Sequence, residues 1–417
     1  MRMKFNRSSQ LVLVSVVSLL AAGLVTACGT LTVDFVFVTS ARAAGPNNYG
    51  EVNVFEVNSE SGFMRQIPTS PFPSGGRNPV AEAPSADSTT LYVINQDDNT
   101  IVQFIVGNDG KLYPQNTLNT PGVFPLAVAV TANYLYVTDT YQPLPTCSTA
   151  APCSGSVAAY PILNAAAAQA LNPPQPADTL GSPVANASIS ANYWPLNLTG
   201  NPTHVLTPTA ITTAASGAYV YVTAFDATSG GGYVFGFTVN ADGTLAAMTG
   251  SPFAAGTHPS SIAADPGGNY VYVTDFAEGD VLAFSVGSGR LTPVAGGPFT
   301  AGNAPSAIVI DKTGKYAYVA NSLDANVTAY SISNGVLSFL GGSSTPAAYA
   351  TGIQPVAIGI DPSLNQYLYT ANFLGNTVSG FQLNATDGTL LNSQNSPYPS
   401  NANPTAVAAI PHGTSKK

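Results

Sequence analysis

Arg77 and His258 are the side chains of this chain best suited to act on a carbonyl group. A histidine titrates near neutral pH and can take a proton from water, and an arginine can polarise a carbonyl oxygen. Each stands just before a proline that opens a recurring segment, in Arg77-Asn78-Pro79 and His258-Pro259. The plainer roles are a loop hydrogen-bonder for His258 and a bridging surface cation for Arg77. A second polar set recurs as regularly. Asn95, Asp139, Asp275, Asn321 and Asn372 each end a short apolar run, as Asp275 does in NYVYVTDFAEGDVLAFSV (269–286). Such amides and carboxylates can bind the hydroxyls of a polyol, and Asp139 with Asp275 could hold a cation. They also cap loops by accepting backbone N–H bonds. Acidic spacing of the EF-hand type is missing, as are a GxSxG elbow, a phosphate loop and zinc-type cysteine spacing. The expectation is therefore no metal and no cofactor. Trp194, the one tryptophan, can stack on a sugar ring or anchor the segment that carries it.

The elements that must position these residues are repeated. Pro79, Pro125, Pro208, Pro259, Pro305, Pro355 and Pro404 open PVAEAPS, PLAVAVT, PTAITTA, PSSIAAD, PSAIVID, PVAIGID and PTAVAAI, and most successive prolines are about 50 residues apart. Each unit then reads as a small-residue strand, a turn such as Asp265-Pro266-Gly267, a Tyr/Val strand, a polar gap, a third strand, a Gly-containing hairpin and a weaker fourth strand. Four strands in such a period make a propeller blade. Runs such as YVYVT do not alternate apolar with polar, and a strand buried on both faces between stacked blades needs no alternation. The segment before Pro79 is a blade without its inner strand, and TAVAAI after Pro404 is an inner strand without a blade. Pairing them closes the ring and leaves no open edge. The expected fold is all-β, a seven-bladed β-propeller of four-stranded antiparallel blades, with the first blade closed by the C-terminal strand. The propeller spans 33–411, with an insertion at about 141–207 in the third blade and a tail at 412–417. In this geometry the polar gaps and the blade-to-blade connections share one face, here termed the top.

The YVTD, YVAN and YTAN phrases, the DPGGNYVYV step and the DGTL hairpins resemble the seven-bladed lactonase-like propellers, which include 6-phosphogluconolactonase-type and YVTN-repeat proteins. The resemblance covers roughly 33–410 and implies the same fold. It also raises lactone hydrolysis as an activity. Enzyme-like members tend to carry Arg-His just after the inner-strand proline, where this chain has Val80, Leu126, Thr209, Ser260, Ser306, Val356 and Thr405. With only nine Lys and Arg after Cys28, the chain offers little to hold a phosphorylated substrate.

Arg2, Lys4 and Arg7 precede an apolar run at 11–25, the pattern of a secretory signal. Val25-Thr26-Ala27-Cys28 resembles a lipobox, so 1–27 reads as a lipoprotein-type signal peptide, Cys28 as the lipidated residue and 28–32 as a short tether. The expected location is the bacterial cell envelope, as an outer-membrane or periplasmic lipoprotein, with secretion as the alternative. In an oxidising compartment Cys147 and Cys153 are expected to form a disulfide. The net charge of −9 becomes −12 once the three leader cations are removed, which disfavours nucleic acid. Membrane contact is expected through the lipid anchor alone, and the chain is expected to be a monomer. The leading functional reading is a binding or interaction module for a small polar ligand, such as a sugar or lactone, or for a protein, on the top face. The alternatives are a hydrolase of an unphosphorylated sugar lactone, using His258 and Arg77, and a structural envelope protein.

Overall fold

The computed structural model describes residues 32–41, 46–147, 149–198, 200–201, 203–340, 347–362 and 364–413. The signal-peptide and lipidation readings, including Cys28, lie outside the described residues.

Seven antiparallel sheets surround one axis, and each is a blade. Blade 1 joins three N-terminal elements, Thr32–Ser40, Glu51–Asn58 and Met64–Gln66, to the C-terminal strand Pro404–Pro411, which is its inner strand. Inner strands of the other blades are Pro79–Pro84, Val123–Val130, Leu206–Ala214, Pro259–Ala264, Pro305–Ile310 and Pro355–Ile360, for blades 2 to 7 in order. The chain thus closes its own ring: Phe35 pairs with Ile410, and Thr39 with Ala406. In blades 1, 4, 5, 6 and 7 the outer strand is split, with a fourth strand and a shorter fifth piece on the same edge of the third. In blade 3 the outer strand is Trp194–Pro195, pairing with Ser156 and Val157. Trp194 is buried in the core between blades 3 and 4, so it fastens the long segment to its blade and is closed to a ligand. Cys147 and Cys153 are disulfide-bonded in the loop between the second and third strands of blade 3.

The core is divided into seven clusters, one between each pair of neighbouring blades. Blade 5 shows why its second strand is apolar at every position. Val271 and Val273 pack toward blade 4, while Tyr272 packs toward blade 6. Tyrosines serve here because a large ring fills the widening wedge between blades, and in some of them the hydroxyl also reaches a neighbour's turn. Tyr221 donates to the Gly289 carbonyl (2.6 Å) and Tyr318 to that of Gly388 (2.9 Å).

Candidate functional site

Every inner strand carries a β-bulge at the same place, one residue after its proline. The register steps from Pro79 to Ala81, from Pro259 to Ser261 and from Pro305 to Ala307, with equivalent shifts in the other four blades. A bulge leaves its extra residue out of the ladder and re-aims the side chain. Here it turns Val80, Leu126, Thr209, Ser260, Ser306, Val356 and Thr405 toward the axis. Together with the next two residues of each strand they line an axial cavity of about 260 Å³.

The hydroxyls in that ring have their protons committed. Ser260 Oγ donates to the Pro305 carbonyl (2.6 Å), Ser306 Oγ to that of Pro355 (2.7 Å) and Thr405 Oγ1 to that of Pro79 (2.8 Å). Each bond stitches one inner strand to the next. A hydroxyl with its proton spent keeps acceptor lone pairs. The mouth of the cavity is therefore suited to a ligand rich in O–H donors.

The five amides and carboxylates expected to form a polar funnel sit elsewhere. Asn95, Asp139, Asp275, Asn321 and Asn372 are all fully buried, and none lines the axial cavity. Their bonds are local. The Asp275 carboxylate accepts from the backbone N–H groups of Thr257 (2.6 Å), His258 (3.1 Å), Ala277 (3.1 Å) and Glu278 (3.3 Å). Asp139 accepts from Gly122 N–H (3.1 Å), and Asn321 from Gly302 N–H (3.0 Å). Asn372 donates to Thr377 and Ser379, and Asn95 to Ser74 and Thr100. A glycine lies against each of them. A Cβ on Gly256 would stand 2.0 Å from Asp275 Oδ2, and one on Gly122 would stand 2.3 Å from Asp139 Cβ. Where a methyl cannot fit, neither can a ligand atom, so this ring is placed as a set of loop caps. The sequence signal for it is Gly-x-x-Pro, seen in Gly76–Pro79, Gly122–Pro125, Gly256–Pro259, Gly302–Pro305 and Gly352–Pro355. Burial pushes Asp139 up to about 7, against bonds from the Thr120 hydroxyl and Gly122 N–H. Protonated, it is a near-isostere of the asparagines that fill the same place in blades 2, 6 and 7.

Arg77 and His258 are three blades apart, and each has its own partners. Arg77 is exposed and forms an ion pair with Asp98, at 2.7 Å through Nε and 2.6 Å through a terminal guanidinium nitrogen. The His258 ring is set edge-on between Phe225 and Phe276, with centroids 4.4 and 5.7 Å away. The structure does not join them into one carbonyl-activating pair.

Two features escaped the reading of the sequence. The first is a His–Asp pair at the top of blade 4. His204 Nδ1 lies 2.5 Å from Asp226 Oδ2, and the same oxygen accepts from Ser229 Oγ. Burial opposes the charge on Asp226, but the bonds from Ser229, His204 and Thr228 hold its pKa at about 2. A buried carboxylate that fixes one imidazole nitrogen leaves the other oriented as a base. The second feature is Glu82, in the fourth position of its inner strand. In the other six blades that position holds Val128, Ile211, Ile262, Ile308, Ile358 and Val407, aliphatics that pack between blades. Both Glu82 carboxyl oxygens are sealed from solvent and lack a hydrogen bond of good geometry. Burial pushes its pKa up to about 8, partly offset by the approach of the Ala408 and Thr39 backbone amides. Both amides belong to blade 1, so Glu82 stands as a neutral acid at the seam where the chain termini close the ring.

A family model for the seven-bladed lactonase β-propeller matches residues 177–413. The chain belongs to that lactonase propeller family. Solved structures agree on the fold. The periplasmic gluconolactonase of Pseudomonas aeruginosa has a TM-score of 0.67 at 17% identity, over 91% of this chain and 99% of that one. A Bacteroides fragilis protein provisionally assigned as a 6-phosphogluconolactonase has a TM-score of 0.66 at 20% identity, over 92% and 99%. A Lactobacillus plantarum protein has a TM-score of 0.63 at 15% identity, over 91% and 100%. At these identities the likeness establishes architecture alone. No curated protein matches the sequence.

Proposed function

We propose that this member of the lactonase propeller family is an exported, lipid-anchored binding module that holds a small neutral polyol, such as a sugar or sugar lactone, at the top-face mouth of its axial cavity. The observation that carries the reading is the bulge ring. Ser260, Ser306 and Thr405 spend their protons on neighbouring carbonyls and Thr209 donates to the Thr223 hydroxyl (2.8 Å), so the ring keeps acceptor capacity at the cavity mouth. None of the lining residues is Lys or Arg, so a phosphorylated ligand has no counter-charge in the wall. With Cys28 lipidated, the tether reaches the bottom of blade 1, where the strand Thr32–Ser40 begins, and the cavity mouth points away from the membrane. The protein acts as a monomer.

Thermal unfolding with a panel of sugars and sugar lactones tests this, because a ligand that binds only the folded state raises the midpoint by mass action. A polyol is expected to raise it in the wild type and to do so less in Ser306→Ala, whose hydroxyl is lost from the ring. A flat response across the panel would overturn the reading.

A second reading, hydrolysis of an unphosphorylated lactone, is favoured by one observation, the His204–Asp226 pair. The family and the gluconolactonase among the similar structures support the same chemistry.

A further inference from the structure

The top-face loops form a continuous rim held by backbone bonds. Ala301 N–H donates to the Gly279 carbonyl (2.9 Å), Leu323 to Asn303 (3.3 Å), Thr351 to Ala325 (2.9 Å) and Gly375 to Ile353 (2.9 Å). These bonds run unbroken from the loop of blade 5 through that of blade 6 to that of blade 7. Along them stand four large apolar side chains in solvent: Phe276, Leu323, Ile353 and Leu374, which are 37, 73, 63 and 59% exposed. Exposed leucines scattered singly need no explanation, but a run of them on one scaffold marks an interaction surface.

The repeat supplies an internal control. Ile353 stands two residues before its proline, and Leu374 two residues after the asparagine that ends its second strand. In blade 2 the same place in the connection holds Arg77, which closes onto the neighbouring loop through Asp98. In blade 6 Asn303 closes onto Asp324 (2.7 Å). In blade 5 Thr257 reaches Glu278 (3.4 Å). The loop geometry therefore accepts polar pairs that suit water. Blade 7 instead has Ile353 at that place and Gly375 where the facing acid would stand, with Leu374 exposed beside it, and the loops of blades 6 and 5 add Leu323 and Phe276.

We propose that the rim of blades 5 to 7 is a docking surface for a protein segment that presents apolar side chains flanked by lysine or arginine. The apolar part is fixed by the four exposed side chains. The basic part follows from charge complementarity: Glu278 and Asp324 are exposed among them, and these rim loops carry no Lys or Arg. The same two acids, facing their own copies, would oppose a top-to-top dimer. They would also oppose seating on an anionic bilayer. This surface is separate from the axial cavity and does not depend on the polyol reading.

The test is selection from a phage-displayed library of random 12-residue peptides on the immobilised protein. It is repeated on a triple variant, Leu323→Ser, Ile353→Ser and Leu374→Ser, whose exposed positions leave the fold intact by thermal unfolding. Enriched peptides are expected to combine aromatic or aliphatic residues with Lys or Arg, and synthetic copies are expected to bind the triple variant at least tenfold more weakly. Weaker binding to Glu278→Lys is expected as well. Enrichment that ignores the triple substitution, or that lacks basic residues, would overturn the proposal. So would a dimer in light scattering that the triple variant abolishes, or rim-dependent flotation with phosphatidylcholine–phosphatidylglycerol vesicles.

Discussion

Glu82→Ile is expected to stabilise the protein, and the gain is expected to grow as pH rises. Glu82 occupies a place that six other blades fill with valine or isoleucine, and its folded-state pKa is raised from 4.5 to about 8 by burial. The sign follows from proton linkage. Below about pH 4.5 the carboxyl is protonated in both states and costs nothing as a charge. Between about 4.5 and 8 the unfolded chain releases a proton that the folded chain holds, so stability falls with rising pH. Above about 8 the loss is complete. At roughly 1.4 kcal/mol per pKa unit it amounts to about 3–5 kcal/mol. Asp139, at about 7, and Asp280, at about 6, slope in the same direction, so wild type is to be compared with the variant and not with itself. Urea unfolding at pH 5 and pH 8.5 provides the comparison. Wild type is expected to lose several kcal/mol more than Glu82→Ile or the near-isosteric Glu82→Gln between the two pH values. Equal losses in all three would mean that Glu82 ionises freely and reaches water in the axial channel. The location carries a further consequence. Because the carboxyl faces Ala408 and Thr39, the alkaline loss falls on the seam of blade 1, and hydrogen exchange in Pro404–Pro411 is expected to quicken first.

Asp275→Ala is expected to cost about 3 kcal/mol. The substitution strands four backbone N–H groups that share one carboxylate, and a buried donor left without a partner costs about 1–3 kcal/mol. Thr257 and His258 are only half-buried, which keeps the total below the sum. Asp275→Asn retains one acceptor oxygen and is expected to lose about half as much. Both are expected to leave polyol affinity within about twofold, because the glycine at 256 closes the carboxylate off from any ligand. The opposite pattern, unchanged stability with lost affinity, would return Asp275 to the binding site.

Much of this was legible in the sequence, for a physical reason in each case. The NYVYVTD phrase exposes its architecture because a strand between two blades must be apolar on both faces, and the outcome is visible in how Val271, Tyr272 and Val273 divide between two cores. The split of the outer strands was not legible, since two- to four-residue strands carry too few residues to show a pattern. Asp275 and its counterparts read equally well as caps or as ligands, because both roles want an acceptor at a strand end. The glycine three residues before the proline in those five blades breaks the tie, but its meaning emerges only when the packing distance is known. Glu82 was readable from the aligned inner strands, where PVAEAPS alone carries a charge at the fourth position, in a file of valines and isoleucines. The His204–Asp226 pair was not, because it joins the end of an irregular insertion to the end of a strand. Its partners share no spacing rule.

The central claim is that the top-face cavity binds without turning its ligand over. Acid release from glucono-δ-lactone, followed against a protein-free control, tests it most directly. Beside it run His204→Gln and His258→Ala. The account predicts that wild-type protein, at a concentration where the lactone raises its unfolding midpoint, releases acid no faster than the control. Acid release above the control that falls in His204→Gln and persists in His258→Ala would contradict it and make the His204–Asp226 pair the base of a lactone hydrolase.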